Sequence, residues 1–513
     1  DPLDSLAALS SFTECDGEDE HDGNVKMMKG RALGIASCLI QWRKDFSAND
    51  LLYLIKSQTN SRDVKCSPIE QSLGLKPTQT IELLKQAADF GDSFALFIFA
   101  MNYWQSDDES PNNGNSLWSL QKATDLGNTD AMFSFALYLM KGDGVSQDKT
   151  KAIQLFQQAS ELGHAGAMVN LALCYSNGVC VPQDKSKVIQ LLQQAADLGN
   201  TNAMFNLALC YWKGYGVLQY KTKAIQLYQQ ASDLGDTNAM INLAACYSKG
   251  DGVPQDKTKA IQLYQKASDL ENHDAMFNLA LCYSKGDGVA QDKSKAIQLY
   301  QQASDLGHHD AMVNLGVCYL KGDGVAQDKS KAVQLYQQAA DLGNTNAMVY
   351  LAFCFDKGYG VPQDKSKAIQ LYQRASDLGS TDAMFNLALY YEGGDGESQD
   401  KSKAIQLYQQ AADLGSADAM YNLALCYDKG DSVPQDKTKA IQLYQQASHL
   451  GNTCAMNNLA LCYLKGDGVS QDKSKAIALF QQASDLGNTM ALKNLIACDL
   501  KGCGVAKGKL KVI

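Results

Sequence analysis

The sequence predicts an all-α solenoid of 36-residue antiparallel helix pairs, and three observations carry that prediction. The dipeptide Ala-Met recurs at Ala131, Ala167, Ala203, Ala239, Ala275, Ala311, Ala347, Ala383, Ala419 and Ala455, always 36 residues apart and without insertion. Apolar residues follow helical spacing on both sides of a Gly-Asp-Gly turn within each unit. Each helix so defined is only about three turns long, too short to persist alone against the cost of nucleation, so its stability has to come from stacking on neighbours.

From the N-terminus, residues 1–23 include Asp16-Gly-Glu-Asp-Glu-His-Asp22 and are read as a disordered acidic segment. Residues 24–78 suggest an irregular helical cap, with helices over 24–45 and 48–58 and a short one after Ser67-Pro68, where proline suits a first turn. The array follows over residues 79–513. Gly91 lies 36 residues before Gly127, so 79–94 supply a lone second helix; about eleven full units begin at Ala95-Leu96, and the unit opening at Ala491-Leu492 is incomplete. A bare terminal repeat exposes its apolar face. The expectation is that the natural chain continues beyond residue 513 or that a partner covers this end.

In the unit from Ala275 to Asp310 a first helix is expected from about Asp274 to Lys285. Gly286 is placed to end it in the left-handed conformation, Gly288 to let the turn reverse, Asp292 to cap a second helix and Gly307 to stop that one. Ala275, Ala280, Ala296 and Ala303 are read as close-approach positions, and Met276, Leu279, Tyr283, Ile297, Leu299 and Tyr300 as the fill between helices. Several copies depart from the pattern. Cys180 and Ser432 replace the second turn glycine, Tyr220 the capping Asp and Glu397 the Val, while unit 95–130 has an acidic loop at 107–109 and weak patterning around Trp118 that mark a degenerate cap.

Bulk composition excludes some classes. Acidic and basic side chains mix along the chain to a net charge of −10, leaving no basic face for a phosphate backbone, so nucleic acid is not expected as a ligand. No apolar stretch reaches the roughly eighteen residues of a membrane span. The apolar run at 32–40 follows more than twenty residues of other sequence and makes a poor secretion signal.

The recurring pattern Ala-x-x-x-Leu-Ala-x-x-Tyr-x-x-Gly-x-Gly-Val-x-x-Asp-x-x-Lys-Ala, then Ala-x-x-Leu-Gly, resembles the Sel-1-like repeat, a relative of the tetratricopeptide repeat, over residues 79–513. The resemblance implies a right-handed superhelix of helix pairs acting as an adaptor for protein complexes. Such proteins are common among bacterial factors that meet host cells and in the adaptor of endoplasmic-reticulum protein degradation. Cysteine-rich secreted relatives carry two cysteines per unit that bridge its helices; here the second is missing, so that pattern does not transfer.

Nine of the 15 cysteines share one site: Cys174, Cys210, Cys246, Cys282, Cys318, Cys354, Cys426, Cys462 and Cys498. Equivalent helices of neighbouring units pack about 8–10 Å apart, beyond the roughly 7 Å Cα separation a disulfide tolerates, so consecutive members should stay unpaired. Buried thiols fit a reducing compartment, the cytoplasm or a host cytosol after export; secretion or a periplasmic location is the alternative. A ladder at this spacing does not converge on a metal, and no metal or other cofactor is expected. The histidines, His21, His164, His273, His308, His309 and His449, show no recurring offset to a nucleophile and carboxylate. The Gly-Asp-Gly-Val turns lack the Lys-Ser/Thr of a phosphate loop. No catalytic residue is expected.

In tetratricopeptide-like superhelices the first helix lines the concave face, which makes its third, fourth, seventh, tenth and eleventh positions, counted from the Ala of Ala-Met, the candidates for partner binding. Position four is Asn170, Asn206, Asn242, Asn278, Asn314, Asn386, Asn422 and Asn458, a row of amides able to pair with an extended peptide; the alternative is that each satisfies a neighbouring backbone group. Phe205, Phe277, Phe385 and Tyr421 at position three, with Leu209 and Phe353 at position seven, are either apolar contact surface or packing between repeats. The cluster Tyr350, Phe353, Asp356 and Tyr359 is the leading aromatic hot spot, and Trp212, Tyr215 and Tyr220 form a second. The function expected is a scaffold or adaptor that binds a partner protein or peptide on its concave face, as in a secreted bacterial host-interaction factor. Two alternatives remain: a targeting or regulatory arm for a catalytic domain outside this chain, and a binder of phosphoinositide or glycan.

Overall fold

The computed structural model describes residue 88 and residues 92–104, 113–394 and 399–500. The expectations for 1–78, most of 79–94, the acidic loop at 107–109, Glu397 and everything beyond 500 lie outside these residues. The described residues contain 23 helices and no strand. They fall into two compact units, one ending at Gln255 and one beginning at Asp256. Each unit is a stack of antiparallel helix pairs in which a helix packs against the helices before and after it in the chain.

Local sequence explains where each helix starts and stops. The first helix of repeat 273–308 is His273–Lys285, one residue ahead of the expected start, because Asn272 caps it by accepting a hydrogen bond from the Ala275 amide. The same cap forms at every first helix from Thr129–Lys141 to Thr453–Lys465, with Asn, His, Asp or Ser in the role. Asp292 caps the second helix, Lys293–Asp305, by accepting from the Lys295 amide. At Tyr220 that side-chain cap is missing, as its chemistry dictates.

Left-handed residues close the helices. Gly286 (φ 72°) ends the first helix and Gly288 (φ 77°) reverses the chain. Among the described residues three non-glycines are left-handed: Cys180 and Ser432 at the position of Gly288, and Glu271 at that of Gly307. A further tie was not anticipated. Gln291 donates from Nε2 to the Ser284 carbonyl at 2.8 Å, using an acceptor at the open end of the first helix, and Gln219, Gln327, Gln363 and Gln471 do the same in their repeats.

The core lies between helices within and across repeats. Ala275, Ala280, Ala296 and Ala303 are buried, permitting close approach, and the eighth residue of most second helices drives an aromatic ring into the space left. Tyr228, Tyr300, Tyr336, Tyr408 and Tyr444 are all essentially inaccessible. Burial pushes their phenols well above the ordinary tyrosine value.

Charge registers one repeat against the next. The lysine opening a second helix pairs with the aspartate of the following turn: Lys221–Asp251 at 2.7 Å, Lys257–Asp287 and Lys293–Asp323 at 2.6 Å, Lys401–Asp431 and Lys437–Asp467 at 2.9 Å. These pairs are substantially exposed, so each adds little to stability; their value is alignment.

All described cysteines are free thiols. Burial is the main reason the Cys246, Cys354, Cys426 and Cys462 thiols are pushed up to about 11, which makes them poor nucleophiles. Among the described residues, no helix is long and apolar enough to cross a membrane.

Candidate partner-binding face and its pocket

The first-helix positions singled out from sequence divide into groups that the helices use differently. Most of the asparagines turn back onto their own helix. Asn170, Asn206, Asn242, Asn278, Asn314 and Asn386 donate from Nδ2 to the carbonyl four residues earlier, at 2.7–3.0 Å, whereas Asn422 and Asn458 reach the Tyr408 and Tyr444 hydroxyls of the preceding repeat. The row is half-buried and part of its bonding capacity is spent locally.

The position-three aromatics are also half-buried. Phe205, Phe277, Phe385 and Tyr421 lie tilted against Tyr228, Tyr300, Tyr408 and Tyr444 of their own repeats, with ring centroids 5.8–6.1 Å apart. These four ring contacts lie within the repeat, and Phe277 also stacks at 4.5 Å on His308, the residue that caps the following first helix.

In the second unit, Tyr350 and Phe353 remain 38% and 37% exposed, a large apolar surface for one helix face. Tyr350 stacks on buried Tyr336 at 5.3 Å and 14°. This stack needs the neighbouring Gly316: a Cβ there would lie 2.5 Å from the Tyr336 ring, and the corresponding residue of the adjacent repeats is Ala280 or Ala352. Phe353 meets Tyr359 edge-on at 5.7 Å. Tyr359 replaces the turn aspartate, and Lys329 sits over its ring at 4.3 Å, a cation–π contact in place of the ion pair. Burial acts to raise the Asp356 carboxyl, but hydrogen bonds from Lys357 and Tyr390 and the Lys357 and Lys365 charges outweigh it and hold the group below its usual range.

The members of the second cluster each have a different local contact. Trp212 lies under Lys221 at 5.0 Å, Tyr220 is exposed in the connecting turn, and Tyr215 again replaces a turn aspartate, its ring 4.9 Å from Lys185 and its hydroxyl 3.0 Å from that of Ser176. Beside Tyr215 a pocket of about 330 Å³ opens between repeats 165–200 and 201–236. Asn206 and Leu209 line it, together with Leu173, Leu192, Lys185 and Lys213, which were not singled out from sequence. One signal was legible: Leu192 stands where neighbouring repeats carry Phe156 and Tyr228.

One cluster resembles a metal site in composition. His273, Asp274 and His308 bring ligand atoms within 4.8 Å of one another. His308 accepts the Ala311 amide at Nδ1, so its proton sits on Nε2, 3.2 Å from Asp274. Metal binding at Nε2 would move the proton to Nδ1 and break the helix cap. His164 makes the same two contacts, to the Ala167 amide and Asp130, with no third ligand. Both histidines act as staples between repeats. Asn344 and Asn452 do this too, donating to Asp310 and Asp418.

Comparison with known proteins agrees with this geometry. The Sel1 repeat profile matches ten consecutive stretches: 129–164, 165–200, 201–236, 237–272, 273–308, 309–344, 345–380, 381–416, 417–452 and 455–488. The chain belongs to the Sel1 repeat family. It is similar to a protective antigen of uropathogenic Escherichia coli strains displaying an SLR fold, with 28% identity, a TM-score of 0.53, and coverage of 82% of this chain and 90% of the antigen. It is also similar to a Sel1 repeat protein from Oxalobacter formigenes, with 29% identity, a TM-score of 0.45, and coverage of 61% of this chain and 90% of that one. No curated protein matches it significantly in sequence. The architecture is that of a protein-interaction scaffold.

Proposed function

We propose that this chain is a non-enzymatic scaffold that holds a segment of a partner protein along the face formed by its first helices. The observation that carries the reading is the presence, on several first helices within each unit, of partly exposed apolar side chains: Leu173 and Leu209 in the first unit, and Phe277, Tyr350, Phe353 and Leu389 in the second. The aromatic members, Phe277, Tyr350 and Phe353, are anchors of the kind that dominate interface energy, while the half-committed asparagines supply polar contacts around them. The likeness to a protective antigen favours a bacterial factor that acts against or at a host cell.

The test uses residues this protein already tolerates. Tyr350→Asn with Phe353→Leu installs the side chains found at those positions in most other repeats, so the fold is expected to persist. A partner identified with the intact protein should bind the double variant at least about tenfold more weakly, equivalent to ~1.4 kcal/mol, with an unchanged thermal midpoint. Equal affinity would remove this cluster from the binding face.

A further inference from the structure

We propose that the pocket between repeats 165–200 and 201–236 receives an aromatic side chain from an acidic segment of the partner protein. The occupant supplies a ring and a carboxylate that this junction lacks. This assignment rests on the scaffold reading above and adds the chemistry of the bound segment.

The pocket exists because two repeat positions fail together. From repeat 129–164 onward the eighth residue of the second helix is a buried aromatic at every other described junction, Phe156, Tyr228, Tyr264, Tyr300, Tyr336, Tyr372, Tyr408, Tyr444 and Phe480, while the degenerate repeat before them carries a buried Leu120. Here it is Leu192. Tyr300 shows where the missing ring would lie, since its hydroxyl bonds to Ser284 and it neighbours Cys282 and Cys318. The equivalents of Ser284 and Cys318 are Ser176 and Cys210, and both line the pocket. Tyr215 has taken the Ser176 hydroxyl and forms one wall, but the space over Leu192 stays open.

The second failure is electrostatic. At Lys221, Lys257, Lys293, Lys401 and Lys437 the opening lysine meets a turn aspartate. Lys185 meets the Tyr215 ring instead, Lys213 lines the same pocket, and no carboxylate does. In a chain of net charge −10 this is a local positive mouth over an aliphatic floor of Val169, Leu173, Val188 and Leu192. Among the described residues, the loss of the ring coincides with the loss of the acid only here; at Lys149 and Lys329 the acid is missing, but Phe156 and Tyr336 fill the space.

A protein segment fits better than an isolated small molecule because of where the walls stand. Position three of one first helix, position seven of both and position four of the next supply Val169, Leu173, Leu209 and Asn206, so a chain anchored in the pocket continues onto the row carrying the asparagines. Anchor side chains in desolvated pockets with a charged rim are the usual hot-spot arrangement.

The experiment is a random-peptide display selection on the full chain, with counter-selection on V188A/L192Y, whose substitutions install the residues present as Ala224 and Tyr228 in the next repeat. Enriched peptides should place Phe, Tyr or Trp beside Asp or Glu. Their affinity should fall at least about tenfold in V188A/L192Y and several-fold in K185Q, and should weaken as salt rises. K185Q keeps the test open should the double variant not fold. No enrichment, enrichment without acidic residues, or binding unaffected by both variants would overturn the proposal. Phenylpropanoate binding as tightly as the best peptide would also overturn it, by making the pocket a small-molecule site. Peptides sensitive to Tyr350→Asn/Phe353→Leu but indifferent to V188A/L192Y would leave the scaffold standing while this assignment fell.

Discussion

Glu271 occupies a left-handed position, φ 60°, where ten other repeat boundaries among the described residues carry left-handed glycine, such as Gly307 at 87°. Nothing lies within 4 Å of the site a Cβ would take at Gly307, so the penalty is backbone strain and not crowding. Glu271→Gly is expected to stabilise the protein by about 1 kcal/mol, read from chemical denaturation; a neutral or destabilising effect would mean that the Glu271 side chain makes a compensating contact. His308 poses a different residue-scale problem, since its cap requires an unprotonated Nδ1. Burial lowers its pKa below the ordinary 6.5, outweighing the Asp274 and Asp310 charges that raise it and assisted by His273 and His309. The unfolded chain therefore takes up the proton more readily. This contribution is fully present above about pH 6.5 and is lost as pH falls through the lowered folded value. His308→Asn keeps an acceptor, as Asn344 does one repeat later, and should flatten the acid side of the stability profile between pH 7 and 5. An identical profile in the variant would place the acid sensitivity elsewhere.

At the scale of the helix, regularity follows from caps that repeat with the sequence. Lys221–Asp233 is the one second helix from Lys149–Glu161 to Lys473–Asp485 whose N-cap residue makes no side-chain bond, because Tyr220 cannot reach its own backbone amides. Tyr220→Asp should add about 1 kcal/mol of stability, measurable as a higher denaturation midpoint. Failure to stabilise would indicate that the exposed Tyr220 ring compensates elsewhere in that turn. Ion pairing at helix starts follows the same logic. Where Tyr215 and Tyr359 replace aspartate, a lysine moves over a ring, so these two residues first serve the junction, and only their remaining exposed surface is available to a partner.

At the largest scale, within each of the two units a repeat touches mainly its neighbours in sequence, and stability accumulates along that unit's stack. Removing residues 309–344 joins two compatible surfaces and is expected to yield a folded, shorter array with unchanged helicity per residue by circular dichroism. A loss of helicity beyond the deleted repeat would show that this repeat does more than extend the stack. Much of this organisation was legible in the chain. The exact 36-residue recurrence, the paired glycines and the capping Asp292 define helix lengths and turns because those depend on local backbone chemistry alone. The candidate face was legible only as a set of positions. Sequence leaves the asparagines either open to a peptide or satisfying a neighbouring backbone group, and most bond to the carbonyl four residues back; Tyr350 looks like a simple intruder until Gly316 and Tyr336 are seen beneath it. What the sequence by itself determined is the repeat, its helices and their stacking, since short amphipathic helices can bury their apolar sides only against one another. Which side chains stay available to a partner, and that a pocket opens where Leu192 leaves a ring's volume unfilled, was decided only by tertiary packing, because it depends on residues from three helices meeting across two repeats.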